Sequence, residues 1–185
     1  YNIVDDASSR LRMMEPVDEP WLLMDDGVPV LVAAGRLAPW KGFDNLIMAM
    51  KELVSGRKAR LLILGDGPSR ADLEKMITDN GLDQSVKLTG YVANPLKYYR
   101  HADVFVLSSR VEGLPNVLVE AMMCGCTPVS TDCPTGPSEV LQNDKYGYLV
   151  PVDDPVTMAA AIVKAIDSPI SEALLAEAVM PFAED

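Results

Sequence analysis

The 185-residue sequence predicts an α/β fold, a Rossmann-like, doubly wound parallel sheet. Two observations lead there. Short apolar runs at residues 29–34, 60–64, 86–89, 104–107, 127–130 and 148–150 are mostly separated by helical patterns of roughly ten to fifteen residues. The runs are also continuously apolar instead of alternating, as strands covered on both faces of a parallel sheet must be.

Each element carries its own signal. Residues 1–28 show little periodicity and two prolines, Pro16 and Pro20, and read as an interdomain linker with a short helix at Pro20-Trp21-Leu22-Leu23-Met24. Residues 29–170 form the strand–helix domain. After Lys41, the residues Phe43, Leu46, Ile47, Met50, Leu53 and Val54 recur at three- and four-residue spacing, the apolar stripe of an amphipathic helix. Residues 72–80 predict a polar-faced helix with Gly81 as its C-cap. Pro115 is placed to open another at its first helical position, where its fixed φ helps and its missing N–H costs nothing. Residues 157–167, rich in Ala and Ile, form a further helix stopped by Ser168-Pro169, and 171–185 read as a last helix cut short.

Composition narrows the function classes. Sixteen basic against twenty-seven acidic residues give a net charge of −11, which argues against this segment gripping nucleic acid or anionic lipid. An apolar content of 49% suits a globular domain, and no membrane-length apolar run is present. The start has no initiator Met and no signal-peptide pattern, and reads as a cut from a longer chain. Cys124, Cys126 and Cys133 are odd in number with no CxxC pair, which fits reduced thiols in a cytoplasmic protein and no metal site. His101 is the single histidine, sits before an apolar strand, and reads as structural, so a Ser-His-Asp hydrolase has little support. The Leu64–Ser69 run "LGDGPS" lacks a Walker lysine, and "GRLAPWKG" lacks the GxGxxG spacing of a dinucleotide site.

In the doubly wound order 3-2-1-4-5-6, the first and fourth strands are neighbours, and ligands bind beyond their carboxyl ends. The first strand runs into Gly35, Arg36 and Lys41. The fourth runs into Glu112 and the stretch "EGLPNVLVE" that ends at Glu120. Lys41 stands at the start of the best helix, where the dipole disfavours a cation by a few tenths to about 1 kcal/mol. With Arg36 in the same loop, the pair makes sense if an anion such as a diphosphate sits there. The free amides of Asn116 and Val117 at the next helix start would add donors. Glu120, within that helix, needs donors of its own, and Glu112 could take sugar hydroxyls and oppose charge developing at an anomeric carbon.

The segments "AAGRLAPWKGFDNLI", "LLILGDGPSRADLE", "VKLTGYVANPLKYYRHADVFVLSS", "EGLPNVLVEAMMCGCTPVSTDCPTGPSEVL" and "GYLVPVDD", read in this order, resemble the C-terminal, donor-binding domain of the retaining GT-B glycosyltransferases of family four. The resemblance spans about residues 29–164. It implies that Arg36 and Lys41 hold the donor diphosphate, with Gly35 in the same loop. Glu112 would contact the transferred sugar, helped by backbone groups around Gly113, Leu114, Asn116 and Val117. Glu120 would bind the ribose and the backbone near Val92 the base. It further implies a hexose or N-acetylhexosamine donor, most often UDP-linked, and no metal or other cofactor. The acceptor, a polysaccharide or lipid-linked saccharide, would be held by an N-terminal domain, and the parent enzyme would lie in the cytoplasm or at the cytoplasmic face of the membrane. The alternatives are a non-catalytic nucleotide-binding or regulatory module, and a GT-B-type sugar-nucleotide epimerase.

Overall fold

A computed structural model of the chain describes residues 2–184. Six parallel strands form one sheet in the order β3-β2-β1-β4-β5-β6. They are β1 (Val30–Ala34), β2 (Arg60–Leu64), β3 (Val86–Gly90), β4 (Val104–Leu107), β5 (Thr127–Thr131) and β6 (Tyr148–Val150). Every predicted strand is present with ends within one residue of the reading from sequence, and the fold class is the one predicted. β1, β4 and β5 are buried at every position, whereas β3, at one edge, is mostly half-buried.

Alternate residues of each strand feed opposite faces. Leu31 and Ala33 of β1, Leu61 and Ile63 of β2, and Val104 and Val106 of β4 join one apolar cluster. That cluster is closed by α3 (Phe43–Val54), α4 (Arg70–Asp79) and α8 (Pro155–Asp167). Val30 and Val32, Leu62 and Leu64, and Phe105 and Leu107 join the other, under α5 (Leu96–Tyr99), α6 (Asn116–Met123), α7 (Pro137–Val140) and α9 (Glu172–Val179). Leu46 and Ile47 of α3 are fully buried, so truncating either to Ala is worth about 2–5 kcal/mol. The polar residues of β5 are satisfied internally: Thr131 donates to the Ser109 carbonyl at 2.6 Å, and Ser130 to the Thr131 carbonyl at 2.9 Å.

The helices differ from expectation mainly at their starts. α4 begins at Arg70, two residues early, and Asn80 caps it, with Gly81 beyond in the left-handed region at φ 66. α8 begins at Pro155, with Asp154 as a cap that accepts from the Thr157 amide at 3.0 Å. Pro115 does not open α6. It sits at the N-cap with φ −82 and ψ 83, and the helix starts at Asn116. The last helix, α9, gives way to a 3₁₀ turn at Met180–Phe182, and Asp185 lies outside the described residues.

Within residues 2–28, α2 (Pro20–Leu23) is the helix expected, but α1 (Ala7–Met13) was not. A capping box starts it: the Ser9 amide donates to Asp6 Oδ1 at 2.7 Å, and the Asp6 amide to Ser9 Oγ at 2.9 Å. α1 packs on α5, and the Val4 amide donates to the Phe182 carbonyl at 2.8 Å, which lays the first segment beside the last.

Candidate functional site

β1 and β4 pair directly, Leu31 opposite Val104 and Val32 opposite Phe105, so the loops leaving their carboxyl ends share one crevice. The first loop carries a 3₁₀ turn, Pro39–Lys41, and Gly42, which caps α3 at φ 66. A Cβ on Gly42 would lie 2.0 Å from the Ser108 carbonyl oxygen, so glycine is needed for both its dihedral and its size. Ser108 Oγ donates to the Lys41 carbonyl at 2.8 Å, and the Arg110 amide donates to the Trp40 carbonyl at 2.8 Å. One side-chain bond and one backbone bond thus stitch the two loops together.

This places Lys41 Nζ 3.1 Å from Glu112 Oε2, with both side chains largely sheltered at 19% and 15% exposure. Ser109 Oγ, fully buried, donates to the same Glu112 oxygen at 2.8 Å. The loop after β5 closes over the pair from the other side. Thr135, at φ 62, donates its hydroxyl to the Glu112 carbonyl at 2.9 Å, and a Cβ on Gly136 would sit 2.0 Å from the Gly113 carbonyl oxygen.

The guanidinium of Arg110 ties further loops to this crevice. It donates to both carboxylate oxygens of Asp44 at 2.9 Å each, to Asp153 Oδ1 at 2.7 Å, and to the Pro39 carbonyl at 2.7 Å. Burial pushes the Asp44 carboxyl up, but the bonds from Arg110 outweigh it and leave Asp44 below its usual range.

The predicted residues fall into groups. Lys41 and Glu112 meet, and Gly35 is beside them, since a Cβ there would lie 3.3 Å from Lys41 Cε. Arg36 is exposed, and its side chain has no partner among the described residues. Of the two loop cations, Lys41 has a counter-charge in Glu112, whereas the Arg36 side chain has none among the described residues. The amide of Asn116 is not free either, because it donates to the Leu114 carbonyl at 3.0 Å. Leu118 donates to Pro115 at 2.9 Å, which leaves Val117 as the first-turn amide with no partner among the described residues.

Glu120 lies a turn further along α6 and makes no hydrogen bond to the Lys41–Glu112 pair. It is half-buried, and burial pushes its carboxyl up while Arg12 of α1 pulls it back in part. Burial, reinforced by the charge of Glu120, pushes the Cys124 thiol up to about 12. Two buried atoms nearby in sequence or across α5, Asn116 Oδ1 and the Tyr99 hydroxyl, lack a hydrogen bond among the described residues. Val92 is half-buried against the apolar cluster under α5 and α6. Ser109, Arg110 and Thr135 were not singled out from sequence. A hydroxyl three residues before Glu112 was the available hint for Ser109; the other two depend on loops far apart in the chain.

A family model described as glycosyl transferases group 1 matches residues 28–168. A Campylobacter jejuni N-acetylgalactosamine-N,N'-diacetylbacillosaminyl-diphospho-undecaprenol 4-alpha-N-acetylgalactosaminyltransferase is 36% identical over 128 residues, 69% of this chain and 34% of that protein. The lipopolysaccharide core biosynthesis glycosyltransferase LpsD of Rhizobium meliloti is 34% identical over 161 residues, 87% of this chain and 46% of that protein. The fold is shared with Anabaena HepE, whose structure was determined with UDP and glucose: TM-score 0.82 at 24% identity, over 99% of this chain and 52% of that one. The chain spans less than half the length of the two relatives and about half of HepE. It belongs to the glycosyl transferases group 1 family and has the parallel α/β architecture of one half of a GT-B glycosyltransferase.

Proposed function

We propose that this chain is the donor-binding half of a retaining glycosyltransferase that moves a hexose or N-acetylhexosamine from a UDP-sugar to a lipid-linked or polysaccharide acceptor. The observation that carries the reading is the meeting of Lys41 and Glu112 at 3.1 Å, from loops 71 positions apart, at the point where the strand order reverses. The acceptor class follows the relatives, one named for a diphospho-undecaprenol saccharide and one for lipopolysaccharide core biosynthesis. UDP follows HepE.

In this reading Arg36 and Lys41 face the diphosphate, and the Val117 amide at the start of α6 adds a donor at the positive end of the helix. As the bond from the anomeric carbon to the phosphate oxygen breaks, both electrons leave with the UDP, and these groups stabilise the charge without a metal ion. Glu112, held through Oε2 by Ser109 and Lys41, keeps Oε1 for a sugar hydroxyl and opposes the positive charge at the anomeric carbon. The acceptor oxygen then adds from the face the leaving group occupied and passes its proton to the departing phosphate oxygen on that face, which retains the configuration. Glu120 takes the ribose hydroxyls, and the backbone near Val92 the base. The acceptor site belongs to an N-terminal domain, and the 185 residues alone bind donor without transferring sugar.

Calorimetric titration with UDP, GDP and ADP tests this. UDP should bind selectively, and Arg36→Ala and Lys41→Ala should each weaken it by roughly tenfold or more, the loss of about 1.4 kcal/mol or more expected for a charge-assisted contact. GDP selectivity would move the donor to a GDP-sugar. A folded chain that binds none of the three would overturn the reading.

A further inference from the structure

We propose that Arg110 is a positioning residue for the donor site: its guanidinium fixes the Lys41 loop against the Glu112 loop and draws the Asp153 turn to both. The inference rests on the donor-site reading of Lys41 and Glu112.

The guanidinium uses three nitrogens on two separate chain segments, Pro39–Asp44 and the Asp153 turn. Nη1 donates to the Pro39 carbonyl at 2.7 Å and to Asp44 Oδ1 at 2.9 Å, one on each side of Lys41. Nη2 completes the fork on Asp44 Oδ2 at 2.9 Å, and Nε reaches Asp153 Oδ1 at 2.7 Å. The Arg110 amide adds a bond to the Trp40 carbonyl at 2.8 Å. Arg110 stands two residues before Glu112, so its bonds to Pro39, Trp40 and Asp44 set where Lys41 lies relative to Glu112, and the bond to Asp153 ties the third turn to them.

Arginine is suited to this and lysine is not. Only a planar fork meets both oxygens of one carboxylate while a third N–H turns to a second carboxylate. The geometry also gives a task to the "GYLVPVDD" segment, which the donor site does not otherwise use. Asp153, the last but one residue of that segment, lies in the left-handed region at φ 56, an uncommon conformation for a residue with a side chain, and its carboxylate accepts from Arg110. Asp154, next in the chain, caps α8.

Stability alone does not account for the arrangement. The Arg110 side chain is 31% exposed and its partners Asp44 and Asp153 are 43% and 58% exposed. Exposed ion pairs typically contribute only about 0.2–1 kcal/mol to folding, and a bidentate, networked pair such as this one lies towards the upper end. Their larger effect is on where the loops rest.

The test compares the intact chain with Arg110→Ala, Arg110→Lys and Asp153→Asn, using UDP-glucose and UMP as probes and amide hydrogen exchange as a readout independent of any ligand. Arg110→Ala should weaken UDP-glucose by at least tenfold and leave UMP within about twofold, because base, ribose and first phosphate do not depend on the clamp. Arg110→Lys and Asp153→Asn, milder variants, should fall between. Exchange should speed up in residues 39–42 and 109–113 together, with the core strands unchanged. Equal losses for UDP-glucose and UMP would mean general loosening and would overturn the inference, as would unchanged exchange in both loops. If the intact chain binds neither probe, the donor reading fails first and takes the inference with it, a result seen before any variant is compared.

Discussion

The two ends of the sheet use glycine for different reasons. Gly81, before β3, and Gly125, before β5, have φ of 66 and 94 and face open space, with nothing within 4 Å of a Cβ. Gly42, after β1, has the same φ of 66, but a Cβ there would lie 2.0 Å from the Ser108 carbonyl oxygen. At the amino ends a glycine satisfies a turn. Beyond β1, β2 and β5, at Gly42, Gly65 and Gly136, it satisfies a turn and a backbone from another segment, with carbonyl oxygens 2.0, 1.9 and 2.0 Å from a Cβ. Three glycines depart from the pattern: a Cβ on Gly147, before β6, would meet Pro128 at 2.6 Å, whereas Gly113, after β4, has nothing within 4 Å and Gly90, ending β3, only the Arg70 side chain at 3.7 Å. The lesson is that the crevice end is assembled from fitted loops, whereas the far end joins strands with turns that touch little else.

The largest effect should come from breaking that fit. Gly125→Ala carries only the cost of a left-handed residue, about 1–2 kcal/mol. Gly42→Ala adds a collision with backbone that no rotamer can relieve, and should cost about 3 kcal/mol or more. It should also separate Lys41 from Glu112 and abolish nucleotide binding, which Gly125→Ala should leave intact. Urea unfolding and calorimetry on both variants decide it. Equal costs would erase the distinction between the two ends.

Charge offers a second, smaller comparison. At the amino end, hydrogen bonds from Arg60 at 3.1 and 2.7 Å lower Asp26 to about 2 from its ordinary 3.8. At the carboxyl end Asp44 is also lowered, by Arg110 against the opposing effect of burial. Both carboxylates have folded values below their unfolded ones. Each therefore contributes stability that is fully present above about pH 4 and is lost as the pH falls through the folded value, near 2 for Asp26. Asp26→Asn and Asp44→Asn should each flatten the acid limb of a Tm-against-pH curve. Only Asp44→Asn should also weaken UDP-glucose. If both weakened it, the amino end would be coupled to the site and the comparison would fail.

What could be read from sequence follows the range of the forces involved. Continuous apolar runs mark buried parallel strands locally, so β2, β4 and β6 were located to the residue. Strand order then brought Lys41 and Glu112 to one crevice, because the doubly wound topology makes β1 and β4 neighbours. α1 escaped because its signal is one capping box, Asp6 with Ser9, and a single helical face too short for periodicity to register. The Asn116 amide was misread because the turn through Pro115 folds back to Leu114, a detail set by φ −82 and ψ 83 and not by residue type. The Arg110 clamp needs Pro39, Asp44 and Asp153 at once, and no local pattern links residues up to 71 positions apart.

The smallest expected effect sharpens the opening comparison most directly. Asparagine tolerates the left-handed region better than other residues with a side chain, because its short amide can bond to nearby backbone. At Gly81, where φ is 66 and nothing lies within 4 Å of a Cβ, Gly81→Asn meets neither a collision nor much dihedral strain. Replacing glycine also lowers the entropy of the unfolded chain, a stabilising contribution of about 0.4–1 kcal/mol at compatible positions. The two terms should nearly cancel, leaving a change within about 0.5 kcal/mol in urea unfolding. The same exchange at Gly42 keeps the tolerated dihedral but still drives a Cβ into the Ser108 carbonyl, and should unfold the loop as alanine does. If Gly42→Asn were instead as mild as Gly81→Asn, the dihedral would be the whole requirement, and the fitted loops would have to hold Lys41 and Glu112 together by side chains alone.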